Sequence, residues 1–391
     1  MTTTADRLAA ARAVGRVLRS GAWSNVVTRA EASADDVDLA NTQGLVFAVL
    51  RHRPLVDAAI SRHASRELDA IDPAVLDLLR VATAEVVANR TPAPLVVDSA
   101  VHAVRTISPK AAGFANAVMR RITEEPPRAI QLSDIGVPHF ADAAMRHVLA
   151  PEDVDGFWEA SQQPAVVGLR TENEIPGAEA VPGIPGAWLW RGGAPPEGVP
   201  IQDPASVAVT LATDAEPGDS ALDMAAAPGG KTQHLLDLVG DGGWVVAMDA
   251  HRRRVRDGAR RVRDATWVVG DGRVAPFRES AFDVVLVDAP CTGLGTLRRR
   301  PELRERVTPE DMSNLAGVQR AMLEEALRVN RPGGRVVYSV CTVTPAETID
   351  VVAGLGGRPP EGLPGLAYGD GWLMSPHLGP TDGMFVAVFD R

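Results

Sequence analysis

From about residue 200 onward, short apolar runs alternate with amphipathic helical patterns, and no other feature narrows the possible folds as much. Strand candidates stand at 220–224, 244–249, 267–269, 282–288, 334–339 and 384–389. Helical patterns lie between them near 231–239, 252–263, 315–329 and 346–354. Parallel neighbours need a crossover long enough for a helix. The alternation therefore predicts an α/β architecture, a mainly parallel, doubly wound sheet. Sheets of that kind collect ligands outside the carboxyl ends of their strands, so those ends are where chemistry is to be sought.

Before this region the texture is different. Residues 1–130 read as all-helical, with apolar faces such as Leu45, Val46, Val49, Leu50 and Val56, or Leu95, Val96, Val97, Ala100, Val101 and Val104. Pro73 and Pro94 stand at credible helix starts. Residues 131–200 turn rich in Pro and Gly, as in Val181-Pro182-Gly183-Ile184-Pro185-Gly186, and Trp188 and Trp190 flank Leu189 in strand-like alternation. Three segments are expected: a helical domain at 1–130, a connecting subdomain with short strands at 131–200, and the α/β domain at 201–391. The loop-like stretch from Gly354 to Pro360 interrupts the last of these.

The chain has two cysteines in 391 residues, Cys291 and Cys341. Each closes an apolar strand candidate and each is followed by Thr. Most lone cysteines are small buried hydrophobes, but two thiols delivered to the same sheet edge favour chemistry. Two thiols cannot build a tetrahedral zinc site, and no Cys-x-x-Cys spacing occurs. No metal is expected. Without an apolar signal segment or a run long enough to span a membrane, the protein is expected to be soluble, cytoplasmic and monomeric.

A glycine turn follows the first strand: Asp223-Met224-Ala225-Ala226-Ala227-Pro228-Gly229-Gly230-Lys231-Thr232. Small residues let a ligand approach the backbone, and the following helix offers free N–H groups. The turn fits neither the Walker nor the dinucleotide glycine pattern. Asp249 ends the next strand, where an acid binds ribose hydroxyls in nucleotide sites. Asp271 follows the third strand and Asp288 ends the fourth. Alone, Asp271-Gly272 reads equally well as a turn; with Asp249 and Asp288 it completes an adenosyl cofactor site.

These motifs resemble the signatures of the RsmB-like (Fmu/Sun) RNA cytosine-5 methyltransferases, as do Asp288-Ala289-Pro290-Cys291-Thr292-Gly293-Leu294-Gly295 and Tyr338-Ser339-Val340-Cys341-Thr342. The stretches from Gly44 to Arg51 and from Gly113 to Arg121 resemble that family's NusB-like RNA-binding domain, and only 131–200 matches loosely. The resemblance implies a Rossmann-like methyltransferase domain preceded by an all-α NusB-like domain. It implies S-adenosyl-L-methionine held by Ala225, Ala226, Ala227, Pro228, Gly229, Gly230 and Lys231, with Asp249 on the ribose, Asp271 at the adenine end and Asp288 near the methionine. By the same resemblance Cys341 adds to carbon 6 of cytosine, Cys291 helps release the methylated base, and Asp288 bonds the cytosine amide edge. A thiol at its ordinary pKa is only roughly 3% thiolate at neutral pH, so Cys341 needs activation.

The expected substrate is RNA, most readily 16S rRNA free or in an assembling small subunit. The same chemistry on tRNA and a non-catalytic NusB-type RNA-binding factor are the alternatives. The net charge of −10 argues against a polyanionic partner at first sight. The acidity, however, lies in the middle of the chain, and basic clusters remain at Arg252-Arg253-Arg254 and Arg298-Arg299-Arg300. The second cluster follows the Cys291 motif and is expected to hold RNA phosphates beside the target base.

Overall fold

The computed structural model describes residues 2–88, 91–128 and 132–391. Two compact units emerge, one of Met1–Pro138 with Arg300–Arg306, the other of His139–Arg299 with Val307–Arg391. The domain boundary expected at 130/131 lies outside the described residues.

The first unit is helical: α1 (Thr4–Ser20), α2 (Ser24–Ala34), α3 (Leu39–His63), α4 (Pro73–Val87), α5 (Ala93–Ile107) and α6 (Ala112–Glu124). Local chemistry sets the starts. Thr3 and Asp6 form a capping box on α1, and Asp72 caps α4 ahead of Pro73. Val14, Val46, Val49, Ile60, Leu79, Val104 and Met119 are wholly buried in one core. Beside it the Arg7 guanidinium holds Glu85 at 2.7 Å, an ion pair almost free of solvent. The segment Arg300–Arg306, whose end forms α12 (Leu303–Arg306), is anchored in this unit. Ser24 donates to Glu302 at 2.8 Å, and Arg304 donates to the carbonyls of Arg51 and Ile135.

In the second unit, α7 (His139–Arg146) and α8 (Pro151–Ala160) precede a three-stranded antiparallel sheet. Its strands β1 (Val167–Arg170), β2 (Ala178–Ala180) and β3 (Ala187–Trp190) lie in the order β1-β3-β2. Leu189 points inward between the half-buried Trp188 and Trp190, as the alternation predicts.

The main sheet has eight strands. They are β4 (Ser220–Asp223), β5 (Trp244–Asp249), β6 (Thr266–Val269), β7 (Phe282–Asp288), β8 (Asn330–Val340), β9 (Leu366–Tyr368), β10 (Gly371–Met374) and β11 (Met384–Asp390). Their order is β6-β5-β4-β7-β8-β11-β10-β9, with the first five parallel and the last three antiparallel. The helices are α9 (Pro204–Leu211), α10 (Gly230–Val239), α11 (Arg252–Arg261), α13 (Pro309–Val329) and α14 (Ile349–Val352). Strand order reverses between β4 and β7, which puts a crevice at their carboxyl ends.

Three details depart from the sequence reading. Helix α13 begins at Pro309, because Thr308 and Asp311 form a capping box ahead of the apolar pattern. The helix expected over 346–354 shrinks to the single turn α14, because Thr348 takes φ −120°, ψ −95° and breaks it. Strands β9 and β10 carry the sheet past the loop-like stretch, too short for any periodicity to announce them.

Candidate active site

Beyond β4 the chain turns through Met224–Gly229 into α10. The turn is pinned on both sides: the Met224 N–H donates to the Leu286 carbonyl and the Ala226 N–H to that of Met248, each at 2.9 Å. Gly229 sits at φ +103°, and a Cβ there would also press the Val262 side chain at 2.9 Å, so glycine is required. Ala225, Ala226, Ala227, Pro228, Gly230, Lys231 and Asp288 line a cleft of about 230 Å³ together with Ile201, Gln202, Asp203, Ser206 and Asp223.

The acids at this sheet edge differ: Asp223 and Asp288 line the cleft, whereas Asp249 and Asp271 stand outside its lining. Asp223 is buried; its Oδ2 accepts from the Thr232 hydroxyl at 2.8 Å, while Oδ1 has no partner among the described residues. Burial pushes its carboxyl up to about 7. Asp249 ends β5, also buried. Its Oδ1 accepts the His251 N–H at 2.9 Å, and Oδ2 is buried without a hydrogen bond, 3.4 Å from Arg254. Arg254 also donates to the Ala227 carbonyl at 2.7 Å, fastening the glycine turn to the end of β5. Asp271 lies on the loop after β6, partly exposed and paired with Arg273 at 2.7 Å, whose hydrogen bonds hold its carboxyl below the ordinary range. A ribose-type hydroxyl would satisfy Asp249 Oδ2, and a cationic amine Asp223 Oδ1, so the donor set fits a charged nucleoside cofactor.

Asp288 joins this corner to the thiols. Its Oδ2 takes Lys231 Nζ at 2.7 Å and its Oδ1 the Ser339 hydroxyl at 2.9 Å. Burial acts to lower the Lys231 pKa, but Asp288, together with Asp223 and Cys341, outweighs it and the ammonium is held up. Asp288 and Ser339 are register partners in β7 and β8. The chain therefore leaves the two strands side by side, and Cys291 and Cys341 meet with their Sγ atoms 3.3 Å apart. The hydrogen bond to Cys341 first, and burial second, hold the Cys291 thiol well above its ordinary range. The loop after Cys291 closes back on its neighbour: Gly295 donates to the Cys341 carbonyl at 3.0 Å and accepts from Gly383 at 2.9 Å. A Cβ on Gly295 would be driven into the Gly383 carbonyl.

Sequence reasoning missed two acids here. Asp223 opens the glycine-turn motif in the sequence reading but carries no role of its own there, although an acid before a glycine turn was the available signal. Glu347 is wholly buried and accepts from Thr292, Thr342, Thr344 and Gln319; nothing local in the sequence distinguishes it. The arginine cluster after Cys291 serves the protein's own interior. Arg299 bridges Asp203 and Asp382, each at 2.7 Å, and Arg298 donates to the carbonyls of Thr381 and Pro164. Arg300 alone of the three is exposed. The expectation that this cluster holds RNA phosphates is corrected for Arg298 and Arg299: the buried Asp382 and the half-buried Asp203 engage Arg299, and backbone carbonyls engage Arg298.

Comparison with known proteins adds three kinds of likeness. Residues 209–390 match the model of the 16S rRNA methyltransferase RsmB/F family, and residues 4–124 match that of the NusB family. The ribosomal RNA small subunit methyltransferase B of Thermus thermophilus is 34% identical, over 90% of this chain and 89% of its own length. Its namesake in Xylella fastidiosa is 30% identical over 93% of this chain and 92% of its own. Among solved structures, that of PH0851 superposes with a TM-score of 0.78 at 22% identity, covering 100% of this chain and 99% of that one.

Proposed function

The chain belongs to the RsmB/F family of 16S rRNA methyltransferases, S-adenosyl-L-methionine-dependent enzymes, and from that premise we propose that it methylates carbon 5 of a cytosine in 16S rRNA through a covalent bond to Cys341. The observation that carries this reading is the pair of thiols, 3.3 Å apart at the ends of adjacent strands, beside the Lys231–Asp288 pair that lines the cleft. Residues 1–130 bind RNA, 131–200 connect, and 201–391 catalyse.

The cofactor would lie along Ala225–Lys231, with Asp223 at its amine, Asp249 at its ribose, Asp271 at its adenine and Asp288 near its methionine. When bound it supplies an electrophilic methyl group. The residues have to make cytosine nucleophilic enough to receive it. Carbon 5 of cytosine is a poor nucleophile, so the Cys341 thiolate adds to carbon 6 and pushes electron density onto carbon 5. Asp288, oriented by Ser339 and Lys231, bonds the amide edge of the base and favours its protonation, so that the negative charge the addition develops is neutralised on the ring. After methylation, the carbon 5 proton leaves to a base and the Cys341–carbon 6 bond breaks, its electron pair returning to sulfur. Cys291, its Sγ 3.3 Å from that of Cys341, serves that release. The target cytosine has to be unpaired or flipped, since a base inside an A-form helix cannot reach either sulfur.

The deciding experiment follows labelled methyl from S-adenosyl-L-methionine into unmodified 16S rRNA, for wild type, Cys341→Ala and Cys291→Ala. Transfer by wild type, none by Cys341→Ala, and a denaturation-resistant protein–RNA adduct with Cys291→Ala are expected. An adduct with Cys341→Ala instead would exchange the roles of the thiols. RNA binding by wild type without methylation would leave a non-catalytic RNA-binding factor.

A further inference from the structure

Both thiols hang from short Cys-Thr corners, and the two corners share one buried carboxylate. Glu347 lies beyond β8, wholly buried, in a turn that also holds Thr344 and Thr348. Its Oε1 accepts the Thr292 backbone N–H at 2.8 Å and the Gln319 amide at 3.1 Å. Its Oε2 is met by the hydroxyls of Thr292, Thr342 and Thr344 at 2.5, 3.2 and 3.0 Å. The Thr292 and Thr342 hydroxyls are themselves 3.0 Å apart. Gln319, on α13, also donates to the Pro290 carbonyl at 2.9 Å. Three elements thus converge on a single side chain: the loop after β7, the loop after β8, and α13.

A carboxylate buried to this depth is costly unless its lone pairs are filled. Core packing would be served as well by an apolar residue, so the arrangement calls for another reason. The residues it grips are the immediate neighbours of the two sulfurs. We propose that Glu347 is a positioning residue for both thiols: it locks the Thr292 and Thr342 corners together and so sets the separation and direction of Cys291 and Cys341 toward the base. The inference rests on the thiol chemistry proposed above and adds the group that aligns it. Glu347 touches neither cytosine nor cofactor and is not a catalytic residue. The same proximity has an electrostatic consequence. The Glu347 charge is one of the contributions, after the Cys341 hydrogen bond and burial, that hold the Cys291 thiol up.

The test compares wild type with Glu347→Gln and Thr342→Val. Glu347→Gln keeps volume and one acceptor oxygen but removes the charge and sets an NH2 against hydroxyl donors. Thr342→Val removes one grip while leaving Glu347 in place. Steady-state methyl transfer gives kcat and the KM for each substrate. Alkylation of the full-length protein across a pH series, resolved by mass into the Cys291 and Cys341 peptides, gives the titration of each thiol. Loss of thiol alignment costs on the order of 10²-fold in rate. For Glu347→Gln a kcat lower by about that factor is expected, with cofactor KM unchanged and the Cys291 alkylation midpoint moved to lower pH. Thr342→Val should lower kcat less, again without change in cofactor KM. A Glu347→Gln enzyme with wild-type kcat and an unmoved Cys291 midpoint overturns the proposal. So does a fall in kcat that is matched by loss of cofactor binding, which marks a general packing role. If wild type transfers no methyl at all, the proposed chemistry has failed, and the alkylation midpoints still decide whether Glu347 governs the thiols.

Discussion

The two ends of the crevice are built on opposite plans. At the thiol end, polar groups find one another: five donors converge on Glu347, and Gly295 closes the Cys291 loop onto the Cys341 carbonyl. At the cofactor end, two buried acids keep an oxygen without a hydrogen bond among the described residues, Asp223 Oδ1 and Asp249 Oδ2, the second facing Arg254 at 3.4 Å. An unmet buried acceptor costs roughly 1–3 kcal/mol. The protein therefore carries a stability penalty at the end proposed to receive the cofactor and is held rigid by hydrogen bonds at the end proposed to align the thiols. Asp288 belongs to both ends, bonded to Lys231 and to Ser339.

The sharpest way to break this contrast is to relieve the penalty. The Asp223 carboxyl titrates in the folded protein at about 7, against an ordinary value of 3.8. The folded state holds the proton more tightly than the unfolded chain. That contribution to stability is fully present below about pH 4 and is lost as pH rises through about 7. Asp223→Asn, neutral throughout, should be more stable than wild type at pH 8 by up to about 4 kcal/mol, taking about 1.4 kcal/mol per pKa unit. Near pH 4 the gain should vanish, and cofactor affinity should be weaker at pH 8. Urea unfolding at the two pH values measures the difference; an equal gain at both would mean that the burial of charge is not its source.

Next in size is the frame of the thiol end. Arg299→Met strands Asp203 and Asp382, the second already pushed by burial to about 6. Breaking a fully buried pair costs about 3–5 kcal/mol, and partial exposure of Arg299 reduces this to about 2–3 kcal/mol. Chemical denaturation should show that loss, while RNA affinity at fixed salt stays close to wild type. Weaker RNA binding with unchanged stability would restore Arg299 to the phosphate-binding role that its sequence position suggested.

Those two arginines show where the sequence was legible and where it was not. The helical faces around Val46, Val49 and Val104 and the strands β4 to β8 were readable because periodicity is a local property. The residues at strand ends were readable because the sheet edge follows from the strands: Asp249, Asp288, Cys291 and Cys341 all stand there. A run of arginines, however, is written identically whether it faces solvent or bridges buried acids, and the partners of Arg299 lie 96 and 83 residues away. Glu347 was silent for the same reason, since its grip on Thr292 spans 55 residues. The strands β9 and β10 were hidden by brevity. What the sequence could not display was pairing at a distance.

Within the cofactor end, Asp249 and Asp271 follow successive strands and look equivalent in sequence, yet the structure separates them. Asp249 is buried, and its Oδ2 faces Arg254 at 3.4 Å without a hydrogen bond, so it can still accept one from a ligand; a hydrogen bond to a charged group there contributes about 1.5–3 kcal/mol. Asp249→Ala should weaken S-adenosyl-L-methionine binding by about 10- to 100-fold, read by calorimetry. Asp271 is partly exposed and already engaged by Arg273, so any ligand must compete with that cation and with water. Exposed polar pairs contribute about 0.2–1 kcal/mol. Asp271→Asn should therefore cost no more than about fivefold in affinity, leave kcat unchanged, and fade further at high salt. Should Asp271→Asn lose as much as Asp249→Ala, the Arg273 pair must open on binding, and exposure in the free protein would no longer rank the acids of this edge.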